Sequence, residues 1–153
     1  MSTIAFEPFY IVGLAVRTTN ENEQAATDIP KLWGEFQSEN IPAKIPNKTS
    51  NTVYCVYTDY EKDFTKPYTT ILGCKVSDLK AIPEGLTGKL IEGGTYLKFT
   101  AKGKLTEGIV INEWVKIWNT KLERSYTNDF EVYDEKAQDP DNAEVNIFVG
   151  IIP

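Results

Sequence analysis

Two helical stripes set among strand-like runs constrain this chain more than any other feature. Ile29, Leu32, Trp33 and Phe36 fall at i, i+3, i+4 and i+7, one apolar stripe of a helix. Val110, Ile111, Trp114, Ile117 and Trp118 make a second, at i, i+1, i+4, i+7 and i+8. The other patterned runs read as strands. Phe9–Arg17 is apolar on both faces and predicts a central strand. In Thr52–Thr58, Val53, Cys55 and Tyr57 share one face, and Tyr54 and Val56 the other. Tyr68–Val76 is the next strand, and Lys89–Ala101 is a strand or bent pair broken at Gly93–Gly94. Asp129–Tyr133 and Val145–Ile151 close the chain.

The order is therefore strand–helix–strand–strand, a linker over Ser77–Thr87, then strand–helix–strand–strand. Neither helical face alone covers so many strands. The two halves, about residues 1–80 and 86–153, are expected to pack about an approximate two-fold axis as one domain, residues 1–153. The fold class is α+β: duplicated βαββ units, a mostly antiparallel sheet, two main helices and a central cleft. Clefts between such halves are common ligand sites. Local signals predict Thr27 or Asp28 capping the first helix, with Pro30 in its opening turn, and Thr106 capping the second. Asn40–Asn51, with two prolines and no period, reads as a loop. Asp59–Pro67 is a long polar connection carrying Tyr60 and Phe64, of the kind that lines sites.

Composition removes several function classes. A chain of 153 residues buries roughly 70% of its unfolded surface. A net charge of −6 disfavours the phosphate backbone of nucleic acids and weakly favours cationic ligands. There is no histidine, which excludes Ser-His-Asp and Cys-His nucleophile systems and histidine-containing zinc sites. No metal or cofactor is expected. Cys55 and Cys74 sit inside apolar strand patterns and read as buried free thiols. No apolar run reaches the length of a membrane span, and the N-terminus lacks a basic segment before an apolar one, so a cytoplasmic protein is expected.

Within Asp129–Tyr133, Glu131 and Tyr133 share one face, and Phe130 and Val132 the other. A hairpin centred near Asp139–Pro140 sets Glu131 opposite Phe148 and Tyr133 opposite Asn146. Alternation alone leaves Glu131 either a solvated residue on the outer face or a carboxylate in an aromatic pocket. Trp114 and Trp118, one turn apart, are either core or the rim of a cavity.

The chain resembles the GyrI-like, or effector-binding, domain family, the small-molecule-binding domains of multidrug-responsive and AraC-type regulators. The resemblance is carried by Val12-Gly13-Leu14, Ile29-Pro30-Lys31-Leu32-Trp33, Tyr57-Thr58-Asp59-Tyr60 and Gly73-Cys74-Lys75-Val76. It continues through Gly94–Gly103, Trp114-Val115-Lys116-Ile117-Trp118-Asn119 and Asp129-Phe130-Glu131-Val132-Tyr133. It implies two SHS2-like halves around a central pocket. It implies further that Glu131 faces a cationic or polar aromatic ligand, with Tyr57, Tyr68, Trp114, Tyr133 and Phe148 as the aromatic candidates around it. Regulators of the family join this domain to a helix-turn-helix unit, for which 153 residues leave no room, so a stand-alone version without direct nucleic-acid binding is expected.

Three functions fit those residues. One is a binding or sequestration protein in which a lipophilic cation meets Glu131 among aromatic faces. A second is a hydrolase of reactive cyclopropane-bearing compounds, with Glu131 as general acid or base. A third is an acidic protein-interaction module, such as a modulator of gyrase.

Overall fold

The computed structural model describes residues 2–153. Eight strands form one antiparallel sheet: β1 (Ser2–Phe6), β2 (Phe9–Thr18), β3 (Lys48–Thr58), β4 (Tyr68–Val76), β5 (Thr87–Ile91), β6 (Gly94–Gly103), β7 (Arg124–Tyr133) and β8 (Ala143–Ile151). Helix α1 (Ala25–Ser38) follows β2, a single turn α2 (Ile41–Lys44) follows α1, and α3 (Ile109–Trp118) follows β6. The strand order is β1-β6-β8-β7-β3-β4-β2-β5.

That order reads the same from either edge. β2-α1-β3-β4 and β6-α3-β7-β8 are the two βαββ units, and they join where β3 pairs with β7. The edge strands are exchanged. β1 opens the chain but borders the second unit through β6, and β5 follows the first unit in sequence and borders it through β2. The stretch read as one bent element is thus two strands that part at Glu92–Gly93 to opposite ends of the sheet.

Register places the helices on a common face. Val12, Cys74, Val53 and Tyr133 lie in one row across β2, β4, β3 and β7, since directly paired residues share a face. α1 packs Leu32 and Phe36 onto this face with Val12, Cys55, Leu72 and Cys74. α3 packs Trp114 and Ile117 onto Ile147 and Val149 of the same face. The opposite face holds Phe9, Ile11, Val56, Ile71, Tyr96, Phe130 and Phe148. There the sheet curls on itself: Phe6 beside one edge and Phe9 near the other both meet the Phe130 ring, at 5.2 and 5.4 Å. The backbones of β2 and β4 leave no room for side chains where Gly13 pairs with Gly73. A Cβ on either would lie 2.1 Å from a carbonyl oxygen of the neighbouring strand, so no side chain fits.

Several local expectations are corrected. The segment read as a loop from Asn40 contains α2, and β3 begins already at Lys48. α1 starts at Ala25, so Asp28 lies inside it, and its carboxylate accepts hydrogen bonds from the Thr18 hydroxyl and the Gln24 amide. Pro30 sits within the second turn. α3 is entered from a 3-10 turn over Leu105–Glu107 through Gly108 at φ 70°, with no side-chain cap from Thr106. Only glycine adopts that left-handed entry without strain. Ile111 points outward at 53% exposure, because the stripe that packs is Trp114 and Ile117. No helix among the described residues is long and apolar enough to cross a membrane.

Candidate functional site

The seam between β3 and β7 puts Cys55 directly opposite Glu131, with Val53 opposite Tyr133 and Tyr57 opposite Asp129. Strand alternation sends Cys55, Tyr57, Glu131 and Tyr133 to the face that carries both helices. Glu131 is 2% exposed. Its Oε2 accepts from the Tyr57 hydroxyl at 2.6 Å and from the Trp114 indole N–H at 2.7 Å. Its Oε1 accepts from the Tyr133 hydroxyl at 2.6 Å. Each donor comes from a different element: β3, α3 and β7 itself.

None of these partners is charged. Burial pushes the Glu131 carboxyl above the usual carboxylate range, and the Tyr133, Tyr57 and Trp114 donors pull it part of the way back. The Tyr57 and Tyr133 phenols are themselves held far up, first by burial and then by neighbouring groups that include Glu131. They stay protonated and serve as donors. Burial raises the Cys55 thiol as well, which leaves it a neutral neighbour of the carboxylate rather than a thiolate.

Aromatic faces surround this carboxylate. Tyr57 meets the Trp114 ring edge-on at 5.5 Å and Tyr68 at 5.9 Å. Trp33 of α1 meets Tyr133 at 4.8 Å. Of the residues singled out from sequence, the fold brings together Glu131, Tyr57, Tyr68, Trp114 and Tyr133. It does not bring Phe148. The register is Phe130 opposite Phe148 and Glu131 opposite Ile147, one residue away from the expected pairing. Phe148 therefore lies on the far face, against Phe130 at 5.2 Å and Phe6 at 4.9 Å.

Two features were not singled out from sequence. Trp33 was read only as part of a helical stripe. Asp129, two residues along the same face from Glu131, is wholly buried and accepts from Arg124 Nη2 at 2.7 Å, the Tyr60 hydroxyl at 2.5 Å and the Gly150 amide at 2.8 Å. Burial works against the charge on Arg124, but Asp129, Tyr60 and Tyr126 together more than offset it and hold the guanidinium ionised. The Asp59–Pro67 connection also reaches across the seam. Phe64 stacks on Trp118 at 5.4 Å, and its carbonyl accepts from Asn20. Its aromatic content is what marks this connection in the sequence as one of the kind that lines sites.

Two open clefts, of about 180 and 290 Å³, lie elsewhere: one along Glu92–Tyr96 and Gly150–Pro153, the other beside Thr58–Tyr60, Lys89 and Tyr126–Asn128. Neither reaches Glu131, whose carboxylate is closed over by Tyr57, Tyr133 and Trp114. The side chains above it, Trp33, Tyr57 and Tyr133, are half-buried.

Residues 4–151 match the family described as integron-associated effector binding protein. A Bacillus subtilis (strain 168) protein that carries the name of a transcriptional regulator, YobU, is 29% identical over 143 residues, covering 91% of this chain and 89% of that protein. The crystal structure of an integron cassette protein from the mobile metagenome of Vibrio cholerae superposes with a TM-score of 0.75 at 30% identity, over 99% of this chain and 95% of that one. SAV2435, solved bound to tetraphenylphosphonium, shares the fold with a TM-score of 0.74 at 13% identity, over 99% and 93% of the two chains. The matched span takes in almost the whole duplicated βαββ fold, and the chain belongs to the integron-associated effector binding proteins, a GyrI-like family.

Proposed function

We propose that this protein binds a lipophilic aromatic cation in the cleft between α1 and α3, with Glu131 as its counter-charge. The observation that carries the reading is the buried Glu131 carboxylate held by three neutral donors and by no cation among the described residues. An ionised carboxylate without a counter-charge is costly to bury, and a cation that neutralises it recovers that cost. Tyr57, Tyr68, Trp114, Tyr133 and Trp33 offer the π faces, each worth roughly 0.5–2 kcal/mol to a cation. Further support comes from the family and from SAV2435, a neighbour of the same fold that holds tetraphenylphosphonium. The bound state requires Trp33 and Tyr133 to swing aside, an induced opening of a cleft that is closed when empty.

The test is titration with tetraphenylphosphonium by calorimetry and thermal shift. Saturable binding that weakens about tenfold or more in Glu131→Gln is expected. Equal affinity in the two proteins overturns the reading. Incubation with electrophilic cyclopropanes in parallel addresses hydrolysis: hydrated product that disappears in Glu131→Gln would replace binding with catalysis as the role of this carboxylate.

A further inference from the structure

We propose that Arg124 is a second anchoring group of the cleft, and that the ligand is an aromatic cation bearing a neutral carbonyl or ether acceptor, one indole's breadth from its positive centre. This rests on Glu131 being the counter-charge of the cation. Arg124 opens β7, its side chain only 5% exposed. Nη2 is engaged by Asp129, whereas Nε and Nη1 are buried without an acceptor among the described residues. A buried donor without an acceptor is costly, and a set of partners this incomplete calls for an explanation.

Position supplies one. The guanidinium lies over the Tyr126 ring at 4.4 Å and over Phe64 and Trp114 at 5.8 Å each. The same Trp114 donates its indole N–H to Glu131. One indole therefore carries the carboxylate at its edge and the guanidinium over its face. Asp129, the partner of Arg124, lies two residues from Glu131 on the same face of β7. Because Asp129 already balances the arginine charge, the free N–H groups call for an acceptor rather than an anion, and the pair does little to repel a cation at Glu131. A guanidinium donor to a neutral acceptor makes a charge-assisted hydrogen bond, stronger than one between neutral groups.

Matched probes test this on the full chain by calorimetry. (3-Benzoylpropyl)triphenylphosphonium carries a ketone that (4-phenylbutyl)triphenylphosphonium replaces with a methylene, and analogues with shorter and longer spacers vary the reach. At the best spacer the ketone is expected to bind about tenfold tighter than its methylene partner. Arg124→Lys keeps a cation for Asp129 but removes the planar guanidinium, and should reduce that ratio at least threefold. If this variant fails to fold, the wild-type ratio across the spacer series decides alone. A ratio near one at every spacer overturns the proposal and leaves an ordered water as the partner of Nε and Nη1. A ratio that persists in folded Arg124→Lys overturns it too. If tetraphenylphosphonium binds while the ratio is one, this inference alone fails. If wild-type protein binds no phosphonium at all, the cation-binding reading fails and this one with it.

Discussion

Asp129 and Glu131 are two buried carboxylates on one strand and one face, separated by a single residue, and their surroundings are opposite. Asp129 has a guanidinium at 2.7 Å, a phenol and a backbone amide. Every charge in that cluster is balanced inside the protein. Glu131 has two phenols and an indole, and nothing among the described residues that balances its charge. The first arrangement joins the end of β7 to β8 and to the Asp59–Pro67 connection. The second holds a charge in reserve. Buried polarity alone does not mark a site; what distinguishes Glu131 is that its set of partners is complete in hydrogen bonds and incomplete in charge.

The largest effect that should separate them is on stability. Asp129→Asn leaves Arg124 buried without its anion, and a loss of about 3–5 kcal/mol is expected in urea unfolding. Glu131→Gln removes a charge that burial disfavours, and stability near neutral pH should fall by no more than about 1 kcal/mol. Comparable losses in both variants would erase the distinction. Affinity comes next and reverses the ranking. Glu131→Gln should weaken tetraphenylphosphonium binding about tenfold or more, equivalent to at least ~1.4 kcal/mol.

A pH series gives a smaller effect. The Glu131 carboxyl is raised above the ordinary carboxylate range, chiefly by burial. In the window from the unfolded value up to the raised folded one, the native state holds a proton that the unfolded chain releases. The contribution of Glu131 to stability is therefore fully present at low pH and lost as pH climbs through that window. Wild type minus Glu131→Gln stability should fall with rising pH there, while cation affinity rises. A difference curve that is flat, or of the other sign, would show the carboxylate to be better solvated than its burial implies. The smallest effect is expected from Tyr133→Phe. Losing one donor to the carboxylate moves the midpoint of the affinity profile further up. An unmoved midpoint would mean that Tyr57 and Trp114 alone hold the charge.

The sequence carried the two helical stripes, six of the strand runs and the grouping of Glu131 with Tyr133. It did not carry register. A turn one residue longer or shorter reverses which face a strand presents, and the stretch between Tyr133 and Ala143 allowed either parity. Phe148 consequently lies on the other face, and the aromatic company of Glu131 comes from the other four candidates, Tyr57, Tyr68, Trp114 and Tyr133, joined by Trp33 of α1. β1 was missed because Ser2–Phe6 is short and mostly exposed, its pairing with β6 a matter of tertiary closure rather than of pattern. Arg124 and Asp129 went unremarked for a related reason. Five residues apart, across the register shift between Arg124 and Asp129, they meet only because the strand is irregular there.

The exchanged edge strands bear on how such a chain can be rearranged. A cut in the linker at 77–86 does not release two self-sufficient modules. It leaves the first fragment holding β1, which borders the other half, and the second fragment holding β5, which borders the first. Each fragment loses its own border and exposes the inner strand that the border covered, an open template for association. Two such fragments present complementary vacancies, so the route back to a whole sheet is recombination between them. In a gene that arose by doubling, an exchange of this kind welds the copies together: once each half carries the other's margin, neither can be inherited alone.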